Sequence, residues 1–487
     1  MKYLLSSLPI LFSVLVSAQT DHTKKISELI SSTYVKANVE FLAADEMKGR
    51  DSGSPELEIA ATYIATRFSL SGLTHAPSQN SFYQAVPLVR TPPPSEISLT
   101  MGNETFTLKK DVLLFTGTDA NLKGNVVFAG YGTAQDFEKT NVNGKVALCL
   151  IGHPGDTVLT RAFQETAFHK NAEAKKRGAV ALIEIVALPG VTFEALRNYF
   201  MQQRITLQEG GEPIPHILLR NIIDSNILRT IKEKSAAPYA LSIQGATPQK
   251  LSTRNVVGFL EGSDPKLKNE ILVLSAHYDH IGIGKKNAEG DSIFNGARDN
   301  ALGTTALLAA ARYLGQNRPA RSVLFIAFTA EEKGLLGSKW YTDHPILPLK
   351  ETVFNLNADG GGYNDKSIVT INGLEYTQTE ELLTRACAAF GLKAAADPVP
   401  QFNLYAGSDN YRFATAGIPA VNFAPGIKAF DEEIMKYYHQ LPDHASSLDF
   451  DYVTRYVRSF VHAAMLISSA KSVPQWKPNS PFRPANN

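Results

Sequence analysis

From Asn255 onward, the sequence alternates apolar runs of strand length with an apolar helical segment. The runs cover 271–276, 322–329 and 352–357, and an Ala- and Leu-rich segment at 301–314 lies between the first two. Strands that alternate with helices form sheets whose parallel strands are covered on both faces, so this pattern predicts an α/β fold. We expect a mixed, mostly parallel sheet sandwiched by helices.

The chain before this pattern has two parts of different composition. Residues 26–73 have helical spacing of apolar residues, and prolines at 92–94 then break regular structure. Between 95 and 245, short β-type runs (96–99, 125–128, 145–151 and 180–185) alternate with turn signals, which predicts an inserted β-rich domain. The predicted boundaries are 1–18 for a signal peptide, 19–94 and 246–470 for the main domain, 95–245 for the insertion and 471–487 for an extended tail.

The first 18 residues have the organisation of a secretory signal peptide. Lys2 gives a basic start, an apolar stretch follows, and the residues at 16–18 lead to a cleavage site after Ala18. A membrane anchor is the alternative, but this run is shorter than the about 20 apolar residues needed to cross a bilayer. We expect the mature protein to be secreted or periplasmic, with no membrane segment.

Charge and cysteine content limit the classes of partner. The 487 residues include 48 Lys plus Arg against 47 Asp plus Glu, so there is no electrostatic case for nucleic acid or an anionic surface. Cys149 and Cys387 lie in apolar contexts far apart in sequence. Buried free thiols are expected, with a disulfide as the alternative in an oxidising compartment.

Histidine and acidic residues stand at the ends of predicted strands and at one helix start. Open α/β sheets bind their ligands at the carboxyl ends of the strands, so these residues are candidates for one site. Imidazole and carboxylate groups are the ligands that zinc takes where a water molecule must also bind. We predict a site for two zinc ions formed by five residues: His277, Asp299, Glu332, Asp359 and His439.

Each of these residues also has a plainer interpretation. Asp299 could be an ordinary helix N-cap, and Asp359 before three glycines could form an Asp-Gly turn. Glu331 and Glu332 after a buried strand repel each other and need compensation, although a solvated loop is the alternative. His439 could be an exposed loop histidine.

Other histidines are weaker candidates. In the His-x-Asp pair of His277 and Asp279, the carboxylate could fix the tautomer of a ligating imidazole or simply satisfy a polar pair. We interpret His280 as a bystander. Three histidines of the predicted insertion are interpreted as lone surface residues: His153, His169 and His216.

The second half of the chain contains seven motifs: Ser-Ala-His-Tyr-Asp-His (275–280), Gly-Ala-Arg-Asp-Asn-Ala-Leu-Gly (296–303), Thr-Ala-Glu-Glu-Lys-Gly-Leu-Leu-Gly-Ser (329–338), Asn-Ala-Asp-Gly (357–360), Gly-Ser-Asp-Asn-Tyr (407–411), Ala-Gly-Ile-Pro-Ala-Val (416–421) and Tyr-His-Gln-Leu-Pro-Asp (438–443). Together they resemble the dizinc exopeptidases of metallopeptidase family 28, which includes aminopeptidase Y, the Streptomyces aminopeptidase and relatives of glutamate carboxypeptidase. The resemblance spans residues 255 to about 464, and the leading helices are also similar. The insertion is similar to a protease-associated domain at 127–132 and 144–146.

The resemblance implies how the metal ligands divide. His277, Asp299 and Asp359 would hold one zinc. Glu332 and His439 would hold the other together with Asp299, which would bridge the two.

The resemblance also implies the chemistry. Glu331 would be the general base, Tyr438 would polarise the scissile carbonyl, and Asp279 would orient His277. The implied activity is hydrolysis of peptide substrates, most simply the release of N-terminal residues.

Three positions depart from the family pattern. Arg298, Leu302 and Asn410 stand where relatives usually have an acid, a Ser and a His, and none of these positions is a metal ligand in the family. Positive charge at Arg298 puts in doubt how a free N-terminal ammonium is held, so a carboxypeptidase stays open as an alternative. A non-catalytic receptor-like relative is a further alternative, against which the presence of all five ligands argues.

Overall fold

The computed structural model describes residues 22–156, 162–188, 191–208 and 213–484. The chain divides into two compact units. The first comprises Met1–Val86 and Ser252–Asn487, and the second comprises Pro87–Leu251. The predicted signal segment at 1–18 lies outside the described residues. In the part of the chain that the structure describes, no helix combines the length and the hydrophobicity needed to span a bilayer.

The elements are numbered in chain order. The strands are β1 (Tyr83–Thr91), β2 (Glu96–Met101), β3 (Glu104–Thr107), β4 (Val112–Thr116), β5 (Ala120–Phe128), β6 (Val146–Leu150), β7 (Ala181–Ile185), β8 (Arg204–Leu207), β9 (His216–Leu219), β10 (Ala237–Gln244), β11 (Gln249–Leu260), β12 (Ile271–His277), β13 (Ser322–Phe328), β14 (Thr352–Ala358), β15 (Ile368–Asn372), β16 (Lys393–Ala396) and β17 (Ala420–Pro425). The helices are α1 (22–29), α2 (Ser32–Leu42), α3 (Pro55–Leu70), α4 (Ala134–Lys139), α5 (Ala162–Lys176), α6 (Phe193–Phe200), α7 (Asn226–Lys234), α8 (Leu302–Gln316), α9 (Leu336–Asp343), α10 (Glu380–Ala388), α11 (Asn410–Thr415), α12 (Glu432–Met435) and α13 (Phe450–Ser469).

The first unit is built on a mixed sheet whose strand order is β16-β15-β17-β14-β12-β13-β11-β1. Its central neighbours β17, β14, β12 and β13 are parallel, whereas β11 pairs antiparallel with β13 and β15 pairs antiparallel with β17. Strands β12 and β13 are buried along their whole length. They are therefore covered on both faces, as parallel strands require.

Alternate residues of the central strands pack into two different cores. Leu272 and Leu274 of β12 join the core formed with α2, α3, α8, α10 and α13. Ile271 and Val273 join the opposite core, which includes Tyr341 of α9 and Phe413 of α11. Side chains point alternately to the two faces of a strand, so each face carries its own helical layer.

The second unit holds a mixed sheet in the order β3-β2-β10-β5-β6-β7-β9-β4, in which β5, β6, β7 and β9 run parallel. Residues 88–91 of β1 pair with β8 in this unit. Helices α4 to α7 accompany these strands, so the unit is α/β in composition rather than purely β.

The predicted α/β fold with a mixed, mostly parallel sheet is confirmed. The predicted strands at 271–276, 322–329 and 352–357 are β12, β13 and β14, and the predicted helix at 301–314 is α8. Both cysteines are buried free thiols, as expected. The interpretation of His216 as a surface residue is wrong, because it is fully buried at the start of β9, whereas His153 and His169 are exposed.

Candidate metal centre

Three adjacent parallel strands deliver the first site residues to one edge of the main sheet. His277 is the last residue of β12, and Asp359 directly follows β14. Glu331 and Glu332 lie in the turn just beyond β13. Since β14, β12 and β13 are neighbours with aligned carboxyl ends, these four side chains converge.

Two further segments complete the site. Asp299 lies in the turn Ala297–Ala301 with non-helical backbone angles (φ −119°, ψ 91°), and not at the cap of α8, whose N-cap residue is Ala301. The N-cap interpretation of Asp299 is therefore wrong. His439 lies in the turn after α12 with a left-handed φ of 55°.

One group of donors forms around His277. Its Nε2 lies 3.0 Å from Asp359 Oδ1 and 3.2 Å from Asp299 Oδ1. All three residues are buried, and their donor atoms could hold one metal ion.

A second group forms around His439. Its Nε2 lies 3.2 Å from Asp299 Oδ2 and 3.1 Å from Glu332 Oε2. The two oxygens of Asp299 thus face two different histidine–carboxylate groups. Asp299 is therefore shared by the two groups of donors.

The electrostatics of the cluster favour bound cations. Burial by itself would lower the pKa of His277, but the charges of Asp359 and Glu331 raise it well above its usual value. Burial likewise opposes protonation of His439, whereas Asp299 and Glu332 raise its pKa to about 10. Without a metal, the histidines take up protons to balance the carboxylates, so the donor set fits a group that supplies positive charge.

Glu331 differs from its neighbour Glu332. Burial and the charges of Asp359 and Glu332 raise the pKa of Glu331 well above its usual value, although His277 opposes this. Its carboxylate Oε2 is 4.0 Å from His277 Nε2, and its backbone N–H donates to Asp279 Oδ1 at 3.1 Å. It lies beside the first group of donors.

Asp279 acts on His277 mainly through its backbone. His277 Nδ1 lies 3.1 Å from the backbone carbonyl oxygen of Asp279 and 3.7 Å from the Asp279 carboxylate Oδ1. The Asp279 carboxylate instead accepts hydrogen bonds from Ser52 and from the Glu331 backbone. It holds the segment that carries Glu331.

The Arg298 guanidinium is held by partners that belong to neither donor group. Its side chain is 3% exposed, pairs with Asp443 at 3.3 Å and donates to the Ser447 carbonyl at 2.9 Å. Its guanidinium also lies 3.7 Å from the ring centre of Tyr437. Asp443 additionally accepts from the backbone N–H of Arg298 and of Asp299, which fixes the turn that presents Asp299.

Three residues near the site were missed by the sequence reasoning. His280, interpreted as a bystander, has its Nδ1 2.6 Å from Glu332 Oε1. Arg50 is fully buried and donates to the carbonyls of Tyr278 and Asn295, each at 2.8 Å. Burial raises the pKa of Asp409 to about 7, with the charges of Asp359 and Asp279 adding to this.

A sequence signal existed for only part of this set. Asp409 lies in the Gly-Ser-Asp-Asn-Tyr motif, and His280 is in the same motif as His277. Nothing local marks Arg50, because its partners belong to segments that are far away in sequence.

Tyr438 packs beside the second donor group. Its ring stacks on that of His439 with centroids 4.1 Å apart, and it also contacts Phe430. The backbone of Gly361 approaches the same ring so closely that a side chain at position 361 would collide with it. Packing thus fixes the ring, while its role in chemistry stays a prediction.

The fold and the site define an α/β protein with a candidate metal centre at the carboxyl edge of its main sheet. Residues 255–464 match the model of peptidase family M28. The family resemblance inferred from the motifs is confirmed.

Two curated relatives match parts of the chain. Aminopeptidase YwaD of Bacillus subtilis (strain 168) is 29% identical over 318 residues, which are 65% of this chain and 60% of that protein. The vacuolar membrane protease of Saccharomyces cerevisiae (strain ATCC 204508 / S288c) is 32% identical over 139 residues, 28% of this chain and 13% of that protein. The match thus spans less than two thirds of either relative.

A solved structure covers nearly the whole chain. The aminopeptidase from Aneurinibacillus sp. strain AM-1 superposes with a TM-score of 0.56 at 20% identity, covering 92% of this chain and 96% of that one. At this level of identity, the likeness shows a shared fold.

Proposed function

We propose that this protein is a secreted, zinc-dependent aminopeptidase that binds two zinc ions and releases N-terminal residues from peptides. The observation that carries the proposal is the position of Asp299, whose Oδ1 faces His277 and whose Oδ2 faces His439. The match of residues 255–464 to a peptidase family supports peptides as the substrate class.

In this proposal, His277, Asp299 and Asp359 hold one zinc, and Glu332, Asp299 and His439 hold the other. Zinc, when bound, supplies Lewis acidity that lowers the pKa of a water molecule and polarises a carbonyl group.

Glu331 is proposed to move the proton. It accepts a proton from the attacking water and delivers it to the leaving amine. Its burial supports this role, because a carboxylate with a raised pKa is a stronger base. Its backbone bond to Asp279 keeps the side chain beside His277, and Tyr438 is proposed to donate a hydrogen bond to the scissile carbonyl.

The surroundings of Arg298 support an aminopeptidase over a carboxypeptidase. A carboxypeptidase needs a cation free to bind the substrate's terminal carboxylate. The Arg298 charge is instead buried, paired with Asp443 and stacked on Tyr437. It is thereby neutralised where it lies.

We therefore expect cleavage of unblocked aminoacyl anilides and little cleavage of their N-acetylated forms. The measurement is a rate comparison on matched pairs of substrates, with C-amidated peptides added to test the other polarity. Efficient release of a C-terminal residue from N-blocked peptides, lost in Arg298→Ala and kept in Arg298→Lys, would favour the carboxypeptidase instead.

The two-zinc proposal makes a separate prediction about stoichiometry. We expect two zinc ions per chain by elemental analysis of the fully loaded protein. Asp359→Asn should weaken one zinc only, because Asp359 lies in the donor group of His277, whereas Asp299→Asn should weaken both because Asp299 lies in both groups. A wild-type protein with full activity and a single zinc under zinc excess would refute the dinuclear site.

We further infer that residues 95–245 form a protease-associated domain inserted into the peptidase domain. The motif resemblance at 127–132 and 144–146 supports this, and the second compact unit covers the same part of the chain. The signal-type sequence at 1–18 supports export.

A further inference from the structure

The carboxylate of Glu332 contacts two different histidines through its two oxygens. Oε2 faces His439 Nε2 at 3.1 Å, next to Asp299 Oδ2. Oε1 faces His280 Nδ1 at 2.6 Å. Glu332 therefore has one oxygen directed to the second donor group and the other oxygen in contact with His280.

The His280 ring is itself held in a fixed position. The residue is completely buried, and its backbone N–H donates to the Arg50 carbonyl at 3.1 Å. The backbone of Gly296 packs on the ring. A Cβ at position 296 would lie 2.6 Å from Cδ2 of His280, and the φ of Gly296 is +60°. This close approach requires a glycine at position 296, so the backbone at Gly296 restricts the orientation of the His280 imidazole.

The surroundings of the ring also determine its tautomer. Among the described residues, no partner lies within hydrogen-bond reach of the buried Nε2 of His280. A proton on that nitrogen would leave a buried donor unsatisfied, which is costly. The proton therefore belongs on Nδ1, from which it is donated to Glu332 Oε1. Asp299 Oδ1, at 4.0 Å from Nδ1, is too far away to compete for it.

We infer that His280 is a positioning residue for the second zinc: its Nδ1–H holds Oε1 of Glu332 so that Oε2 stays directed to the metal together with Asp299 and His439. The inference rests on the proposed two-zinc function. A hydrogen bond from outside the ligand set orients a ligating carboxylate and fixes which oxygen is available. In this inference His280 acts through Glu332. Its Nδ1 also groups with Asp299 and Glu332 as donors that could hold a metal ion, so direct ligation by His280 is the competing outcome of the test.

Zinc affinity of the full-length protein tests this inference. We would titrate the metal-free protein with zinc in competition with a chelator, for the wild type, His280→Ala and His280→Asn. His280→Ala should weaken the second zinc by about 10–100-fold and leave the first unchanged. His280→Asn should recover most of the affinity, because the Asn amide can donate from nearly the position of Nδ1.

A control variant separates this effect from the loss of any buried histidine. His462 is buried in α13 and belongs to neither donor group, so His462→Asn should leave both zinc affinities as in the wild type. Equal affinities of the wild type and His280→Ala for the second zinc would overturn the inference. Equal weakening in His280→Ala and His280→Asn would also overturn it.

Cobalt substitution distinguishes positioning from direct ligation. At saturating Co²⁺, a positioning role leaves the visible d–d spectrum of the second site unchanged in His280→Asn, since no ligand is lost. A spectrum altered in that variant would overturn the inference in favour of ligation by His280. A wild-type protein that binds only one zinc would instead refute the two-zinc function, so the two failures are distinguishable.

Discussion

Glu331→Gln is expected to keep both zinc ions and to lose at least ~10²-fold in turnover, the low end of the contribution of a general base. Gln has nearly the shape of Glu but cannot accept the proton of the attacking water. The side chain lies beside His277 at 4.0 Å, close to the first donor group but outside its shortest contacts. The measurement is kcat on an unblocked aminoacyl anilide, together with the zinc content of the same preparation.

Glu332→Gln is the matched control, because it removes the same charge from the adjacent residue. Glu332 Oε2 lies in the second donor group, 3.1 Å from His439 Nε2, so this variant should weaken zinc binding. Zinc loss in Glu331→Gln together with zinc retention in Glu332→Gln would show that the two roles are exchanged. Full activity of Glu331→Gln would remove Glu331 from the mechanism.

The convergence of the site residues was predictable because it follows from the sheet. Each of β12, β13 and β14 is a mostly apolar run with a histidine or an acid at or just beyond its end. Parallel strands bring such ends to one edge, so the strand pattern and the ligand pattern reinforce each other. The motif resemblance then divided the ligands between two metals, which periodicity alone does not do.

The contacts that orient the ligands were not predictable in this way. His280 meets Glu332 across 52 residues of sequence, and Arg298 meets Asp443 across 145. These pairs depend on how turns between elements are folded, and turns lack the periodicity that identifies strands. The contact of His280 with Glu332 was therefore not foreseen, and Arg298 left a carboxypeptidase open as the alternative.

The second unit contains a buried ionic cluster that a sequence signal does mark. Glu184 interrupts the otherwise apolar strand β7, where all five residues are buried. A carboxylate in such a strand needs a cationic or hydrogen-bonding partner. The structure supplies Lys170 of α5 and His216 of β9, at 2.6 Å and 3.0 Å from its two oxygens.

Within this cluster, the Glu184 carboxylate supplies the negative charge that compensates the Lys170 ammonium. Its Nζ donates to the carbonyls of Leu150 and Gly152 at 3.0 and 2.7 Å and to the Glu184 carboxylate. The two carbonyls satisfy donors but do not compensate the charge. Removing the carboxylate charge would leave a buried ammonium unpaired, which is far more costly than losing a surface ion pair.

Glu184→Gln is therefore expected to destabilise the second unit by about 3–5 kcal/mol. Glu173→Gln is the matched control, because Glu173 lies on the exposed side of α5 and pairs with Arg177 at the surface. It should change stability little. Adding Lys170→Met to Glu184→Gln should recover part of the loss, because the buried ammonium is then removed together with its partner.

The same cluster predicts how the difference in stability between the wild type and Glu184→Gln depends on pH. Burial alone would raise the pKa of Glu184, but its hydrogen bond to His216 and the charges of His216 and Lys170 hold it below its usual value. A carboxyl group whose pKa is lower in the folded state contributes stability at pH values above its unfolded-state pKa of about 4.3. This contribution is lost as the pH falls through the folded-state pKa. The wild type should therefore exceed Glu184→Gln in stability at neutral pH, and the two should converge in acid. Urea denaturation at several pH values measures this difference in stability, and hydrogen exchange of β7 reports it for the second unit. A pH-independent difference no larger than that of Glu173→Gln would contradict the prediction.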